Sequence, residues 1–177
     1  MECRPEALDF TEDRIVKINM KEYVENILAE MPDEMDGTAT TPAAAHLFQM
    51  RGNSVALGNQ KKDFLHTTVA KLLFLCKRDR PDLQTAVNFL CTRVREPTSD
   101  DQNKLTRVIC YMRGTKGLTL QLRADNLNII KWWVDGVFAV HKGMRSHTGG
   151  VMLLGKGSAY SASRKQKLNT KSSAKQS

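Results

Sequence analysis

The chain has 177 residues, of which 41% are hydrophobic and 26% charged, and this length allows one domain or two small ones. That hydrophobic content can form a buried core, which excludes a globally disordered chain. No apolar run approaches the roughly 18 residues of a membrane span, and the first residues lack the apolar stretch of a signal peptide, so we expect no membrane partner.

The net charge of +8 is concentrated in the last quarter of the sequence. Nine of the 27 basic residues lie after residue 130, whereas only one of the 19 acidic residues, Asp135, lies there. Such an asymmetry predicts contact with a polyanion such as nucleic acid. The alternatives are a solvated basic face, or a basic tail whose acidic partner segment is missing.

The first third of the chain predicts a β-hairpin, a helix and a long connection. Short apolar runs on either side of a polar turn at 11–14 predict two paired strands within 7–20. Apolar residues at helical spacing predict a helix over 21–31, which Pro32 ends because proline lacks an amide hydrogen. Residues 32–60 have no periodicity, and we hypothesise that they lie over a partner domain.

Three further helices are predicted between residues 61 and 114. The first covers 61–77, the second begins at Pro81, and the third begins at Thr98 and ends at Gly114. Asp100 and Asp101 form a carboxylate pair at the start of the third helix. We interpret them as helix-capping residues, since a polymerase metal pair requires a tight turn between two strands.

The periodicity changes to that of strands after residue 116. Strands are predicted at 118–122, 129–140, 148–154 and 158–163, separated by turns at 142–143 and 155–157. The predicted fold is therefore α+β: an N-terminal β-hairpin and helical segment, then an antiparallel sheet. We place a domain boundary between residues 116 and 117.

The four cysteines are far apart and form no metal-binding pair. Cys3, Cys76, Cys91 and Cys110 are interpreted as reduced thiols, three of them within buried apolar segments. This use of cysteine is typical of an intracellular protein, in the cytoplasm or the nucleus.

Two histidines and one aspartate are the polar residues of interest in the predicted sheet. His141 and His147 flank a turn, and we interpret them as surface or nucleic-acid-facing residues rather than zinc ligands. Asp135 lies within an apolar strand, where a buried carboxylate would need a partner or a metal ion. It is either a magnesium ligand or an outward-facing residue of an edge strand.

Several motifs occur in a fixed order along the second half of the chain: WWVDGVFAVH at 132–141, MRSHTGG at 144–150, SRKQK at 163–167 and KSS at 171–173. This order resembles the ribonuclease H region of Copia-type retrotransposon polyproteins. Residues 64–66, 72–74, 80–87 and 107–115 resemble the helical, thumb-like region of the reverse transcriptase that precedes it. The resemblance assigns 1–116 to the reverse transcriptase and 117–177 to an incomplete ribonuclease H-like domain.

The resemblance implies a Mg²⁺ site and, as partner, an RNA–DNA hybrid or another nucleic acid. It also suggests the family's polymerase domain as a second partner. Asp135 matches the first catalytic, metal-binding aspartate of the family. The turn and the basic strand suggest nucleic-acid-binding residues, which are Lys142, Arg145, His147, Arg164, Lys165 and Lys167. RNA-directed DNA polymerase and ribonuclease H are the activities of the family.

This sequence departs from the family pattern at the catalytic positions. Ala174, Lys175 and Gln176 stand where the family has a Thr-Glu-Ala-Glu motif, and Val137 replaces a small polar or acidic residue. No Asp or Glu follows Asp135, whereas a two-metal site needs several carboxylates. We therefore expect a polyprotein fragment without catalysis of its own and without productively bound Mg²⁺. The alternatives are a domesticated nucleic-acid-binding module and a protein-interaction domain.

Overall fold

The computed structural model describes residues 7–9, 15–125, 128–141 and 143–167. It confirms an α+β fold with an N-terminal hairpin, helices and two antiparallel sheets. The helices are α1 (Lys21–Ala29), α2 (Asn59–Cys76), α3 (Gln84–Cys91) and α4 (Ser99–Gly114), with 3₁₀ turns at Asp33–Met35 and Pro81–Leu83. The strands are β1 (Ala7–Asp9), β2 (Ile15–Asn19), β3 (Leu120–Ala124), β4 (Lys131–His141), β5 (Arg145–Leu153), β6 (Gly155–Lys156) and β7 (Tyr160–Lys165).

The four helices form one hydrophobic core, as their apolar stripes predict. Its fully buried side chains come from each helix, for example Val24, Leu72, Leu90 and Ile109. Burying such side chains contributes about 1.5–3 kcal/mol each, so this cluster supplies much of the stability of the fold. Cys76 and Cys110 are buried free thiols and Cys91 is half-buried, whereas Cys3 lies outside the described residues.

The connection between α1 and α2 packs on the chain's own helices, and its position over a partner domain stays a prediction. Met35 and Leu47 are buried in the helical core, and Phe48 contacts it. Ala56 forms a β-bridge with Thr98. Anchoring residues this far apart leave no periodic pattern, which is why the segment resembled an unattached loop.

The first sheet has the strand order β1–β2–β3–β6 and joins residues on both sides of the predicted boundary at 116/117. β2 pairs antiparallel with β3, with Val16 opposite Leu122. The segment 155–157, which we predicted as a turn, instead contains β6. A Cβ at Gly155 would overlap the carbonyl oxygen of Arg123, and one at Gly157 the carbonyl oxygen of Gln121. Glycine is therefore required for the close approach to β3.

The second sheet has the order β4–β5–β7, and its position over α3 is fixed by hydrogen bonds. Lys77 Nζ and Gln84 Nε2 both donate to the carbonyl oxygen of Ser161, at 3.0 Å and 3.1 Å. The outer edge of β7 therefore lies against helical residues. β4 forms the opposite edge, and no described strand pairs with its outer side.

None of the described helices is both long and apolar enough to cross a membrane.

Candidate nucleic-acid interface

Four of the predicted nucleic-acid-binding residues lie together at one end of the second sheet. Arg145 begins β5, Arg164 and Lys165 end β7, and Lys167 follows β7. They meet because β5 and β7 are antiparallel, with Thr148 opposite Arg164 and His147 opposite Lys165. We call these four residues the basic end. Lys142 lies outside the described residues.

The basic end carries its charges on both faces of the sheet. Arg164 and Lys165 are consecutive in a strand, so their side chains point to opposite faces. Arg145, Arg164 and Lys167 are exposed and Lys165 is half-buried. None of the four forms an ion pair with another described residue, so their charges are available to a phosphate backbone.

His141 and His147 are buried, so their interpretation as surface residues was wrong and His147 is not an exposed nucleic-acid contact. His141 is 8% exposed and His147 is 4% exposed. His141 Nε2 lies 2.9 Å from His147 Nδ1, and His147 Nε2 lies 2.6 Å from Ser163 Oγ. Strand pairing brings these residues together, and β-strand alternation alone could not show which face would be covered.

The two imidazoles are held neutral by their surroundings. Burial lowers the pKa of His141 to about 4, and His147 and Lys165 add smaller effects in the same direction. Burial likewise lowers the pKa of His147. Phe48 and Phe89 provide this apolar environment, with ring centroids 5.1–5.9 Å from the histidine rings. Neutral imidazoles can hydrogen-bond each other, because one nitrogen donates and the other accepts.

Asp135 is exposed on β4 and borders a cavity of about 500 Å³ between the second sheet and α3. The sheet contributes Asp135, His147 and Ser163 to the lining, and the helical side contributes Asp82 and Gln84. Asp82 and Ser163 were not predicted to lie here. In the sequence, Asp82 has only the pattern of an acidic residue at the start of a helix, and Ser163 has only that of an ordinary strand residue.

The polar side chains around this cavity are engaged in other contacts. Asp82 already pairs with the Arg80 guanidinium, at 2.8 Å from Nη2. His147 uses both ring nitrogens in hydrogen bonds, and an Asp135 oxygen accepts the Gly136 N–H at 2.7 Å. Within the described residues, no group of three or more His, Cys, Asp or Glu side chains is placed to hold a metal ion. Two-metal hydrolysis requires such a group.

Comparison with protein-family models, with curated proteins and with solved structures found no match to this chain. The resemblance to Copia-type polyproteins therefore rests on the ordered motifs and stays a prediction.

Proposed function

We propose that this chain belongs to the reverse transcriptase and ribonuclease H region of a Copia-type polyprotein, and that it binds an RNA–DNA hybrid without cleaving it. The observation that carries this proposal is the basic end. Residues separated by almost twenty positions in the sequence, Arg145 and Arg164, are brought to one end of a sheet. No described acidic residue forms an ion pair with either of them.

The basic end is suited to the phosphate backbone rather than to base edges. Arginine and lysine contacts to phosphates contribute affinity that is largely independent of sequence and depends strongly on salt. A-form hybrids are recognised chiefly by shape and backbone. Binding without cleavage is supported by the side chains at the cavity, where Asp135 is the one described lining carboxylate without an ion pair, because Asp82 pairs with Arg80. Mg²⁺ chemistry needs several carboxylates.

The test is binding and cleavage of one labelled RNA–DNA hybrid. Replacing Arg164, Lys165 and Lys167 with glutamine should weaken binding and reduce the salt dependence by about one unit of slope for each phosphate that the variant no longer binds. The matched control replaces Lys61, Arg95 and Lys116, which are equally basic, exposed, and distant in sequence from the basic end. An equal reduction of affinity in the two triple variants would show that net charge, and not the basic end, binds the hybrid.

The same samples with Mg²⁺ should show no cleavage above background, and Asp135→Asn should leave both cleavage and binding unchanged. Metal-dependent cleavage that Asp135→Asn abolishes would contradict the non-catalytic assignment.

A protein-interaction domain is the second candidate, and the exposed apolar side chains of β4 favour it. They include Trp132, Trp133, Val134 and Phe138. Hybrid binding that is absent even at low salt would favour this candidate over the first.

A further inference from the structure

The outer edge of β4 is long, apolar and unpaired among the described residues. Trp133 is 68% exposed and Val134 is 70% exposed, and large apolar side chains are exposed on both faces of the strand. Most proteins protect such an edge with a bulge, a proline or repelling charges, because its free N–H and C=O groups accept another strand. In β4 the bulge comes only after Val137, so residues 131–137 keep a regular strand register.

The two charges on this edge have opposite signs. Lys131 and Asp135 are four residues apart, so they point to the same face of the strand as Trp133. Both are exposed, and neither forms an ion pair with a described residue. Charges of one sign would repel a second copy of the strand, whereas this arrangement is self-complementary.

We propose that β4 is a dimer interface, in which two copies of the chain pair antiparallel through residues 129–137 around a twofold axis at Trp133. A twofold axis perpendicular to the sheet keeps each residue on its own face, so only residues of the same parity can be opposite each other. Among these registers, the one centred on Trp133 places Lys131 of each copy opposite Asp135 of the other.

The same register also matches the apolar residues. It places Ile129 opposite Val137 and Trp132 opposite Val134 of the second copy, while the two Trp133 side chains are adjacent at the axis. Directly opposed apolar and opposite-charge pairs are the contacts that stabilise antiparallel strands. A shift of the axis by one residue, to Val134, would place Lys131 opposite Val137 and Asp135 opposite Trp133, and neither charge would then have a partner.

The proposed pairing stops at two copies, because among the described strands each copy offers only the β4 edge of its second sheet. The outer edge of β7 lies against Lys77 and Gln84, which both donate to Ser161, so the dimerised sheet does not extend through that side. An isologous contact of this kind produces a dimer rather than a filament.

Charge reversal tests the register. In sedimentation velocity from about 1 to 100 µM, the range of weak dimers, the wild-type chain should dimerise. Lys131→Asp and Asp135→Lys should each raise the dimer Kd by roughly tenfold or more, because like charges then face each other. Combining the two substitutions should restore the wild-type Kd to within about threefold. Lys116→Asp, an equal change at an exposed site outside β4, should have no effect.

Cysteine cross-linking provides an independent measurement. Trp133→Cys should form an intermolecular disulfide with oxidised glutathione, because directly opposed residues have Cα atoms about 4.5–5.5 Å apart. Trp132→Cys should not, because in this register it faces Val134 rather than its own copy. Far-ultraviolet circular dichroism spectra should match the wild type in every variant.

Three results would overturn the proposal. They are a wild-type monomer over the whole concentration range, single charge reversals that leave the Kd unchanged, and cross-linking at Trp132 in preference to Trp133. A monomer whose tryptophan fluorescence is quenched by single-stranded oligonucleotide would identify β4 instead as a base-stacking surface.

Discussion

His141, His147 and Ser163 form a series of hydrogen bonds, which we call the histidine chain. Protonation of the buried His141 imidazole links this histidine chain to the stability of the fold. While both rings are neutral, two arrangements of the protons are possible. His147 either accepts a hydrogen bond from the Ser163 hydroxyl and donates one to His141, or it donates to Ser163 and accepts from His141. A proton on His141 would place a charge among Phe48, Phe89 and a second imidazole. Lys165, directly opposite His147, would repel that charge.

The pH dependence of unfolding follows from this chain of hydrogen bonds. The pKa of His141 falls from 6.5 to about 4 on folding, so the unfolded state binds more protons between these values. Stability is therefore full above pH 6.5 and decreases as the pH falls toward 4, by about 2 kcal/mol at pH 5. Urea unfolding at pH 7.5 and pH 5 measures the difference.

His141→Gln should make that difference smaller, because glutamine does not titrate. His66→Gln, at an exposed position, should keep the wild-type difference. Equal pH dependence in the two variants would exclude the histidine chain as its origin.

Asp79 and Arg80 are neighbouring charged residues whose side chains are buried inside the fold. Both are buried within a charged segment that the sequence alone would place in solvent. Asp79 accepts the N–H groups of Met20 and Leu120, at 3.1 Å and 3.2 Å, and so joins the start of α1 to the start of β3. Burial raises the pKa of Asp79, and these two hydrogen bonds oppose that change.

Among the elements, the start of α4 is capped by its own side chains, as the sequence predicts, and the cap takes the form of a capping box. Asp101 accepts the Thr98 N–H at 2.8 Å and lies 3.0 Å from the Thr98 hydroxyl. It is 1% exposed and also pairs with Arg93 at 3.1 Å. Asp100 pairs with Lys104 at 2.9 Å. The predicted capping role is therefore confirmed for Asp101, and both aspartates form buried ion pairs.

Asp101→Ala should lower the free energy of unfolding by about 3 kcal/mol, because it removes a helix cap and leaves the Arg93 charge partly buried without a partner. Chemical denaturation monitored by circular dichroism measures this decrease. Asp63→Ala is the matched control at an exposed helical position, and its effect should stay within about 0.5 kcal/mol. Similar decreases at the two sites would contradict the role of the cap.

Across the whole molecule, the helices and both sheets are connected over the predicted boundary at 116/117. β3 pairs with β2, β6 pairs with β3, and Ser161 of β7 accepts hydrogen bonds from the helical side. The boundary stays a prediction, but two independently folding parts would have to break these contacts.

We expect one cooperative unfolding transition. Far-ultraviolet circular dichroism reports chiefly on the helices, and the near-ultraviolet signal of the Trp132–Tyr160 ring pair reports on the second sheet. The two denaturation curves should coincide, as for a two-state domain. A separate, earlier transition of the aromatic signal would support an independent unit after residue 116.

The elements and their order could be predicted from local signals in the sequence. Helical stripes, Pro32, the capping residues of α4 and strand alternation predicted all four α-helices and six of the seven described strands. The excess of basic residues after residue 130 and the isolation of Asp135 as the last acid are also visible in the sequence. These properties depend on neighbours in the chain, so no fold is needed to see them.

Only the tertiary structure shows which faces of the strands, helices and connections are buried by other parts of the chain. Folding buries His147 and Asp79 and leaves apolar side chains on both faces of β4 exposed. It attaches residues 32–58 to the helical core and makes Gly155 part of a strand. It also brings Arg145 beside the end of β7, and Asp82 to the cavity at Asp135. Each of these outcomes depends on contacts between residues distant in the chain, and the energy of burial depends on what lies across the contact rather than on local spacing.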